Sequence, residues 1–597
     1  MKKVLLLVAL FTFTMFWATP TEIKAQDIVD VAAIPPGNIN TIINGDTVAG
    51  GTRANPDRIY RLKRGSVYQV TEPLRIDGNL RIIATDGTER PPVLAPAILP
   101  DNSSIDHFMQ FIGADATVEL NDIYMIAFRA DNTALGWSDG IRIDANNIDF
   151  TVKNSIFDGF SHTVIQLNGQ WCKMDVQDNV FRNNMHPSSW FGGGAFLSGA
   201  PVAQDTNMWI NNTFFCNNSY NWSDRGFDTY SVFEHNTMVY NTVNPFLIRQ
   251  ANKMHINNNL FYAAHAMGGN PTHVIDGWFL NYPDTASSSI LRVRANDSTS
   301  FWATDVWAAT MAGPEGYVDP ANGITADMIV PSERVVDWQN NAFFNPQALT
   351  DFYTAYNDTT TLADSIGMPD GSKALVRRIL VPNTNISEYA QWTIDNILAD
   401  DGADVTVANN DIMDPGFSTE VNAQIDNLIA YVHKISTGTL DVPWYFDPNE
   451  SHYPPAWPLP ENLAYSNTAM QSAGTDGFAL GDLNWFPEQK NQWLTDVKTL
   501  GTELPTDFEL SQNYPNPFNP ETNIRFKVAS TGNVKLVVFN ILGQKVKTLF
   551  NDEMKAGSYQ TSWNGTDDLG RKVASGTYLL SIETDAFRAT KKMMLLK

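Results

Sequence analysis

A recurring pattern of apolar and polar positions organises the chain between Asp57 and about Pro346. Each copy has one apolar residue, two or three polar residues that usually include Asn, and then an apolar or aromatic pair. Regular copies begin at Val152, Val176, Ile210, Phe233 and Ile256, a looser copy begins at Leu120, and a late copy begins at Trp338. The regular copies are separated by 24, 34, 23 and 23 residues.

A step in the low twenties matches one coil of a parallel β-solenoid, in which short strands stack on those of the next coil. Asn suits the bends, because it tolerates left-handed backbone conformations and can hydrogen-bond along a ladder. Residues 58–83 predict the first coils. A β-propeller is excluded, since each blade needs roughly forty residues.

This repeat resembles that of the right-handed parallel β-helix proteins of the pectate-lyase-like superfamily. The predicted fold class is therefore all-β, with a solenoid body at residues 26–493. Insertions are expected at about 268–335 and 347–435, with helical apolar spacing at 386–398 and 419–434. The Trp- and Pro-rich stretch 442–493 is expected to cap the C-terminal end of the solenoid.

The last ninety residues have the pattern of a separate small β-sandwich, at 511–597, behind a linker at 494–510. Its proline-rich beginning cannot donate ladder hydrogen bonds and predicts a stiff lead-in. Strands follow, and glycines supply the turns between them. The motif residues are Tyr514, Pro515, Asn516, Pro517, Phe518, Gly543, Gly576 and Tyr578.

These motifs, in this order, closely resemble the C-terminal sorting domain of cargo of the type IX secretion system, found in Bacteroidota and neighbouring phyla. The resemblance implies that the secretion machinery is a partner and that the domain directs passage across the outer membrane. In that family the domain is then typically removed, and the cargo is released or tethered to surface lipopolysaccharide.

The first 25 residues have the pattern of a secretory signal peptide. Lys2 and Lys3 precede an apolar run that is shorter than a spanning helix needs, and Ala25 is a plausible cleavage point. No later segment is long and apolar enough to span a bilayer. We therefore expect export through the periplasm to the outer surface or the medium.

The net charge of the chain limits the classes of partner that it is expected to bind. The chain has 65 acidic and 40 basic residues, a formal net charge of −25, which disfavours nucleic acid. Such a charge permits Ca²⁺, because carboxylates suit hard cations, but it equally serves solubility. The two cysteines, Cys172 and Cys216, either pair or stay as buried thiols, and nothing around them predicts zinc.

Two loops of the regular coils are where chemistry is expected, at residues 186–194 and 217–228. Weak catalytic candidates are Asp224, Arg225, Asp228 and Arg249, and candidates for stacking on sugar rings are Trp190 and Trp222. For any one of them a structural role is the commoner alternative. In solenoid enzymes that act on polysaccharide, hydrolases need two carboxylates and lyases need a base, often with calcium.

Two hypotheses stay open. In the first, the body binds extracellular polysaccharide, as a polysaccharide lyase or glycoside hydrolase. In the second, it is a non-catalytic adhesin or structural surface protein. Charged side chains that converge in one groove would favour the first, and scattered charges would favour the second.

Overall fold

Short parallel strands stack into three ladders that form the body of the molecule. The computed structural model describes residues 27–48, 51–186, 192–199, 202–243, 245–266, 332, 334–367, 373–377, 380, 402–437, 444–447, 452–494, 498–499, 507–513, 516–518, 522–554, 556–567, 571–584 and 586–596. A complete coil passes through ladder 1, ladder 2 and ladder 3 in turn, and each strand pairs in parallel with its equivalents on neighbouring coils. The body is therefore the predicted parallel β-solenoid.

The strands of the three ladders are as follows. Ladder 1 contains Leu74–Ile76, His107–Phe111, Asp139–Ile143, Thr163–Leu167, Gly194–Ser198 and the first parts of Trp222–Glu234 and Phe246–Asn257. Ladder 2 contains Ile28–Val31, Ile59–Leu62, Leu80–Ala84, Thr117–Asn121, Asp149–Lys153, Cys172–Gln177, Ala203–Ile210, the second parts of Trp222–Glu234 and Phe246–Asn257, Val335–Gln339 and Asp404–Ala408. Ladder 3 contains Val67–Val70, Val93–Pro96, Tyr124–Ile126, Ile156–Asp158, Val180–Arg182, Thr213–Phe215, Thr237–Val239, Leu260–Tyr262, Ala342–Phe344 and Asp411–Ile412.

Stacked apolar side chains fill the interior of the solenoid. The rings of Phe157, Phe181 and Phe214 on successive coils lie 5.1 Å apart, centroid to centroid, at each step. The helix Asn38–Gly45 packs against the first strands and buries Ile39 and Ile43 in the same core. Each repeat thus buries its apolar face only against its neighbours, as solenoids require.

A ladder of asparagine side chains runs along the bend between ladders 2 and 3. Its rungs are the buried Asn179, Asn212, Asn236, Asn259 and Asn341 and the partly exposed Asn410. The side-chain carbonyl of each rung accepts hydrogen bonds from the backbone N–H and the side-chain amide of the rung before it, at 2.9–3.1 Å. The repeated Asn of the sequence therefore links each coil to the next through hydrogen bonds, and the prediction of an Asn ladder is confirmed.

The residue before each rung has a positive φ, so its side chain points away from the core. These residues are Asp178, Asn211, His235, Asn258, Asn340 and Asn409, and Asn154 adopts the same conformation before Ser155, with φ between 51° and 61° in all seven. Asn and Asp adopt this left-handed region more readily than most residues. We call this set the bend column.

A segment at residues 473–493, the side strap, binds the bend column along the length of the solenoid. The Asn340 side chain donates to the carbonyl of Ala473, and Asn258 accepts from the backbone N–H of Thr475. Farther along, Asn211 accepts from the N–H of Leu483, and Lys490 pairs with Asp178. The strap therefore lies along the side of the coils, which corrects the expectation that residues 442–493 cap the end.

The segment before the strap covers the outer face of ladder 3 through a buried ion-pair network. Arg182 donates to Asp158 at 2.6 Å and to Glu461 at 2.8 Å, and Tyr124 donates to Asp158 at 2.7 Å. Burial raises the pKa of Glu461, and Arg182 opposes that shift. Both faces of ladder 3 are therefore largely buried from Val93–Pro96 to Leu260–Tyr262, whereas the last strand, Asp411–Ile412, is exposed.

Residues 347–435, expected to be an irregular insertion, contain one more coil, at Asp404–Ala408 and Asp411–Ile412. The two strands of this coil are short and mostly exposed, so the apolar pattern by which the other coils are recognised is weak here. The expected helix near 419–434 is confirmed as Thr419–Asn422 and Ile425–Ser436, and a further helix spans Gln347–Thr359. Residues 386–398 and almost all of the insertion at 268–335 lie outside the described residues.

The remaining elements of the body are small. They comprise an antiparallel pair, Ala363–Gly367 with Lys373–Arg377, the 3₁₀ turns Met470–Ser472 and Leu483–Trp485, and the helix Pro487–Trp493. Both cysteines are free and buried. In the described residues no helix combines the length and apolarity that crossing a bilayer requires.

The C-terminal module has two four-stranded antiparallel sheets that enclose its own core. One sheet contains Lys498–Thr499, Gly557–Trp563, Thr522–Val528 and Glu509–Leu510; the other contains Lys545–Met554, Gly532–Asn540, Gly576–Thr584 and Arg588–Leu595. The predicted β-sandwich is confirmed. Two strands of the first sheet come from the stretch expected to be a linker.

Removal of one asparagine rung should destabilise the whole solenoid. In Asn236→Ala, the backbone N–H and side-chain amide of Asn212 and the carbonyl of Trp209 lose their partners. Buried unsatisfied groups cost about 1–3 kcal/mol each, so we expect a loss of about 3 kcal/mol in the free energy of unfolding, measured by urea titration. The exposed Asn168→Ala should change it by less than about 0.5 kcal/mol, and equal effects of the two variants would contradict the ladder's role.

The strap should dock more tightly in acid. Burial raises the pKa of Asp482 to about 7, against an ordinary value of 3.8, and Lys490 opposes the shift. The folded chain therefore holds a proton that the unfolded chain has released, and stability contributed by this group falls as the pH rises from about 4 to about 7, by at most about 4 kcal/mol. The difference in urea midpoint between Asp482→Asn and wild type should follow this pH window, and a pH-independent difference would contradict it.

Candidate functional site: the outer face of ladder 1

Loops that enter ladder 1 place polar and aromatic side chains at the start of its strands. Residues 127–138, 159–162 and 183–193 connect ladder 3 to ladder 1 on three successive coils. The register sets His107, Asp139 and Thr163 side by side. Side chains from distant parts of the sequence therefore converge on this edge, and we call the group Asp106, His107, Trp137, Asp139, Arg142, His162 and His186 the ladder 1 cluster.

Acidic and basic groups alternate through this cluster. Arg142 donates to Asp139 at 2.6 Å and lies 3.3 Å from Asp106. His162 Nδ1 lies 2.5 Å from Asp139, and His107 Nδ1 lies 2.7 Å from Asp106. Burial opposes ionisation of Asp106, but the hydrogen bond from His107 and the charges of His107 and Arg142 hold its pKa below the ordinary value.

Trp137 provides an exposed aromatic face next to these charges. Its side chain is 49% exposed, and its ring stacks on His162 with centroids 4.1 Å apart. His186 lies on the other flank, 5.1 Å away. Burial and the neighbouring His162 lower the pKa of His186, which favours a neutral imidazole at that position.

The buried carboxylate of Asp139 orients the His162 ring. When Nδ1 donates its proton to Asp139, Nε2 is the basic nitrogen, and the tautomer is set by this contact. A carboxylate-oriented imidazole is the arrangement of a general base. Asp139 itself is 1% exposed, so it can position His162 but cannot reach a substrate.

The catalytic candidates of the sequence do not form this cluster. Residues 217–228, expected to be a loop, mostly belong to the long strand Trp222–Glu234, which runs from ladder 1 into ladder 2. The backbone of Asp224 pairs with that of Ile248, but the side chains of Asp224, Arg225 and Arg249 lie outside the described part of the structure. Their catalytic roles stay predictions.

The roles predicted for Asp228 and Trp222 are wrong, because both side chains are buried. Asp228 is fully buried and accepts a hydrogen bond from Ser231 at 2.7 Å, so it cannot contact a substrate in this structure. Trp222 is 0% exposed and packs 4.5 Å from Phe233 in the solenoid core, so it cannot stack on a sugar ring. Trp190 lies outside the described residues.

Sequence reasoning missed most of the ladder 1 cluster, although it placed His186 in a candidate loop. Trp137, Asp139 and His162 are not in the recurring motif, because the motif marks ladders 2 and 3. One signal was available: the chain has only nine His, and two of them, His107 and His162, lie at or immediately before the start of a ladder 1 strand. Register between coils was needed to bring these residues together.

A second group of side chains could hold a metal ion. Glu234, His235 and Asp476 offer one ligand atom each, and these atoms lie within 4.8 Å of one another. His235 belongs to the bend column, and Asp476 belongs to the side strap. In the ladder 1 cluster, by contrast, the carboxylates are paired with Arg142 and the imidazoles. Binding of Ca²⁺ by the chain stays a prediction.

The motif residues of the C-terminal module have structural contacts where they are described. Asn516 binds the last strand, since its side chain donates to the carbonyl of Lys592 at 3.0 Å and accepts from the N–H of Met594 at 2.8 Å. Phe518, next to Pro517, is buried 5.5 Å from Trp563, whose ring lies 4.9 Å from that of Tyr578. In addition, Gly543 takes φ 74° in a turn and Gly576 begins a strand, whereas Tyr514 and Pro515 lie outside the described residues.

Fold and site define a parallel β-solenoid protein with an immunoglobulin-like C-terminal module. Residues 515–586 match the family described as the FlgD Ig-like domain. No curated protein matches the chain.

Similarity to solved structures is confined to small parts of the chain. Latent PorU from Porphyromonas gingivalis is 20% identical over 15% of this chain and 9% of its own, with a TM-score of 0.13. PorZ, described as a surface component of the type IX secretion system of that organism, is 15% identical over 16% and 13%, with a TM-score of 0.12. The DNA glycosylase AlkC of Pseudomonas fluorescens is 17% identical over 19% and 36%, with a TM-score of 0.11. Overlaps of this size carry no argument about what the chain does.

Proposed function

We propose that this chain is an exported surface protein whose solenoid binds extracellular polysaccharide along the outer face of ladder 1. The observation that carries the proposal is the half-exposed Trp137, held flat against His162 beside two carboxylates and a guanidinium. Aromatic faces next to polar groups suit sugar rings, which have an apolar face and a hydroxylated rim.

The rest of ladder 1 suits an extended polymer. Gln110, Arg142 and Gln166 occupy equivalent, partly exposed positions on three successive strands. Neighbouring strands are about 4.8 Å apart, so a chain that lies along the solenoid axis meets a polar side chain at each coil. Arg142, whose partner Asp106 is 61% exposed, is the group that would bind the carboxylate of an acidic polysaccharide in place of Asp106.

If the site is catalytic, its geometry favours a lyase over a hydrolase. Hydrolysis needs two carboxyl groups that face the glycosidic bond, but Asp106 and Asp139 are both tied to Arg142. Proton abstraction next to a uronate needs one base, and His162 has the orienting carboxylate such a base requires. A non-catalytic adhesin is the alternative that the same experiment tests.

Polysaccharide binding should depend on Trp137. We expect the mature chain to be retarded in affinity gels that contain acidic polysaccharide, and Trp137→Ala to weaken this binding about tenfold through loss of the stacking surface. Trp457→Ala removes another partly exposed Trp, 44% exposed on the segment that covers ladder 3, and should bind as wild type does.

Ultraviolet absorbance of unsaturated uronides, followed on the same polysaccharides, separates the two activities. A lyase should give product that His162→Gln abolishes while retardation persists, and an adhesin should give retardation without product. Absence of retardation with every polysaccharide, or equal retardation of Trp137→Ala and wild type, would exclude the proposed site.

Export is the second part of the proposal, and it is supported by the pattern of residues 1–25 and by the sandwich at the C-terminus. The apolar run after two lysines suits passage into the periplasm, and residues 511–597 suit sorting by type IX machinery to the outer surface. Attachment to the outer membrane surface and release to the medium are both compatible with this route.

Loss of the C-terminal module should stop export at the periplasm. In a Bacteroidota host with type IX machinery, we expect the full chain at the cell surface or in the medium, and a chain truncated after residue 510 in the periplasmic fraction, measured by immunoblot of cell fractions. A host strain without the machinery provides the control and should retain both chains. Surface delivery of the truncated chain would contradict the proposal.

A further inference from the structure

One coil of the solenoid departs from its neighbours where the side strap crosses it. On adjacent coils the last residue of ladder 2 and the following bend residue are Ile210–Asn211 and Asn257–Asn258, whereas here they are Glu234–His235. Asn meets the conformational demand of this bend at Asn154, Asn211 and Asn258. The imidazole of His235 therefore supplies something that the bend does not need.

The surroundings of His235 fix the orientation of its ring. The side chain is fully buried, Nδ1 lies 3.3 Å from the carbonyl oxygen of Gly481, and Nε2 lies 2.8 Å from Asp476 Oδ2. A carbonyl oxygen can only accept, so the contact with Gly481 is a hydrogen bond when Nδ1 carries the proton. In that tautomer the lone pair of Nε2 faces Asp476, and a metal ion bound by both groups would make this contact favourable.

Three features of the group are those of a metal site. A ligand atom of Glu234 joins those of His235 and Asp476 within 4.8 Å, which is compatible with one ion bound by all three. The Nδ1 contact with a backbone carbonyl is the outer-shell partner that ligating histidines commonly have. Asp476 is itself held, because its Oδ2 accepts from Trp493 at 3.0 Å and its Oδ1 accepts from the N–H of Phe478 at 3.2 Å.

We propose that Glu234, His235 and Asp476 bind a divalent transition-metal ion of the Zn²⁺ class, and that the ion joins the side strap to the solenoid. One imidazole nitrogen and two carboxylate oxygens match the donors that Zn²⁺ takes, with water in the fourth position. Ca²⁺ is disfavoured because it takes six to eight oxygen ligands. Since two ligands come from the solenoid and one from the strap, binding would stabilise the docked strap. This site is independent of the ladder 1 cluster.

Zinc titration of the mature full-length chain tests the site. We expect one tight equivalent by calorimetry, one retained ion per chain by elemental analysis after dialysis, and a higher thermal midpoint with Zn²⁺ than with EDTA. His235→Asn introduces the residue found on neighbouring coils, so it should fold, and it should weaken binding by at least about tenfold. Glu234→Gln should act in the same direction.

His255 provides a matched control. It also lies near a carboxylate, with Nδ1 3.2 Å from Asp337 Oδ2, but it lies on the outer face of ladder 2 away from the strap. His255→Asn should keep the tight equivalent and the zinc-dependent midpoint. Failure of the wild-type chain to bind Zn²⁺, or equal binding by folded His235→Asn and wild type, would overturn the proposal and leave a direct hydrogen bond between His235 and Asp476.

Discussion

The hydrogen-bonded asparagine ladder is the interaction on which the rest of this structure depends. Each rung satisfies the backbone N–H and the side-chain amide of the rung before it, so the bend between ladders 2 and 3 has the same geometry on each coil. Hydrogen bonds between amides are strong inside a low-dielectric core, and a buried amide without a partner costs free energy of folding. The ladder therefore fixes register between coils, and a shift of one residue would break it along its length.

From this bend follows the division of the solenoid into covered and open faces. The left-handed residue before each rung turns its side chain outward, where the side strap binds the column and the preceding segment buries ladder 3. Among the described residues, no hydrogen bond joins the strap or the preceding segment to a strand of ladder 1. The polar residues that converge at its edge, among them Asp139 and His162, are thus left where a large ligand can reach Trp137.

Much of the fold was predictable because the bend repeats in sequence, whereas the site was not. The motif from Val152 to Ile256 marks ladder 2, the bend and ladder 3, and the structure places each copy there. Contacts such as that of His235 with Asp476 join residues separated by 241 positions, and no local pattern encodes them. Trp222 was misassigned for a related reason, since only the pairing of its strand with Phe196 shows that this part of the chain is a buried strand and not a loop.

The same constraint explains why the residues of the ladder 1 cluster gather at one corner of the coil. From the strand Thr117–Asn121 onward the chain turns between ladders 2 and 3 in two residues, as at Asn211 and Asn212, because a longer bend would remove the amide from the ladder. Between ladders 3 and 1 only a shorter series of such contacts is described, at Asn184 and Asn217, and the connections range from the three residues 71–73 to the twelve residues 127–138. Loop length costs little free energy on a scaffold whose register is set elsewhere. Variation in loop length is therefore tolerated at the corner that bears Trp137. The bend that carries the asparagine ladder tolerates little variation, which is why it appears in the sequence as a repeat.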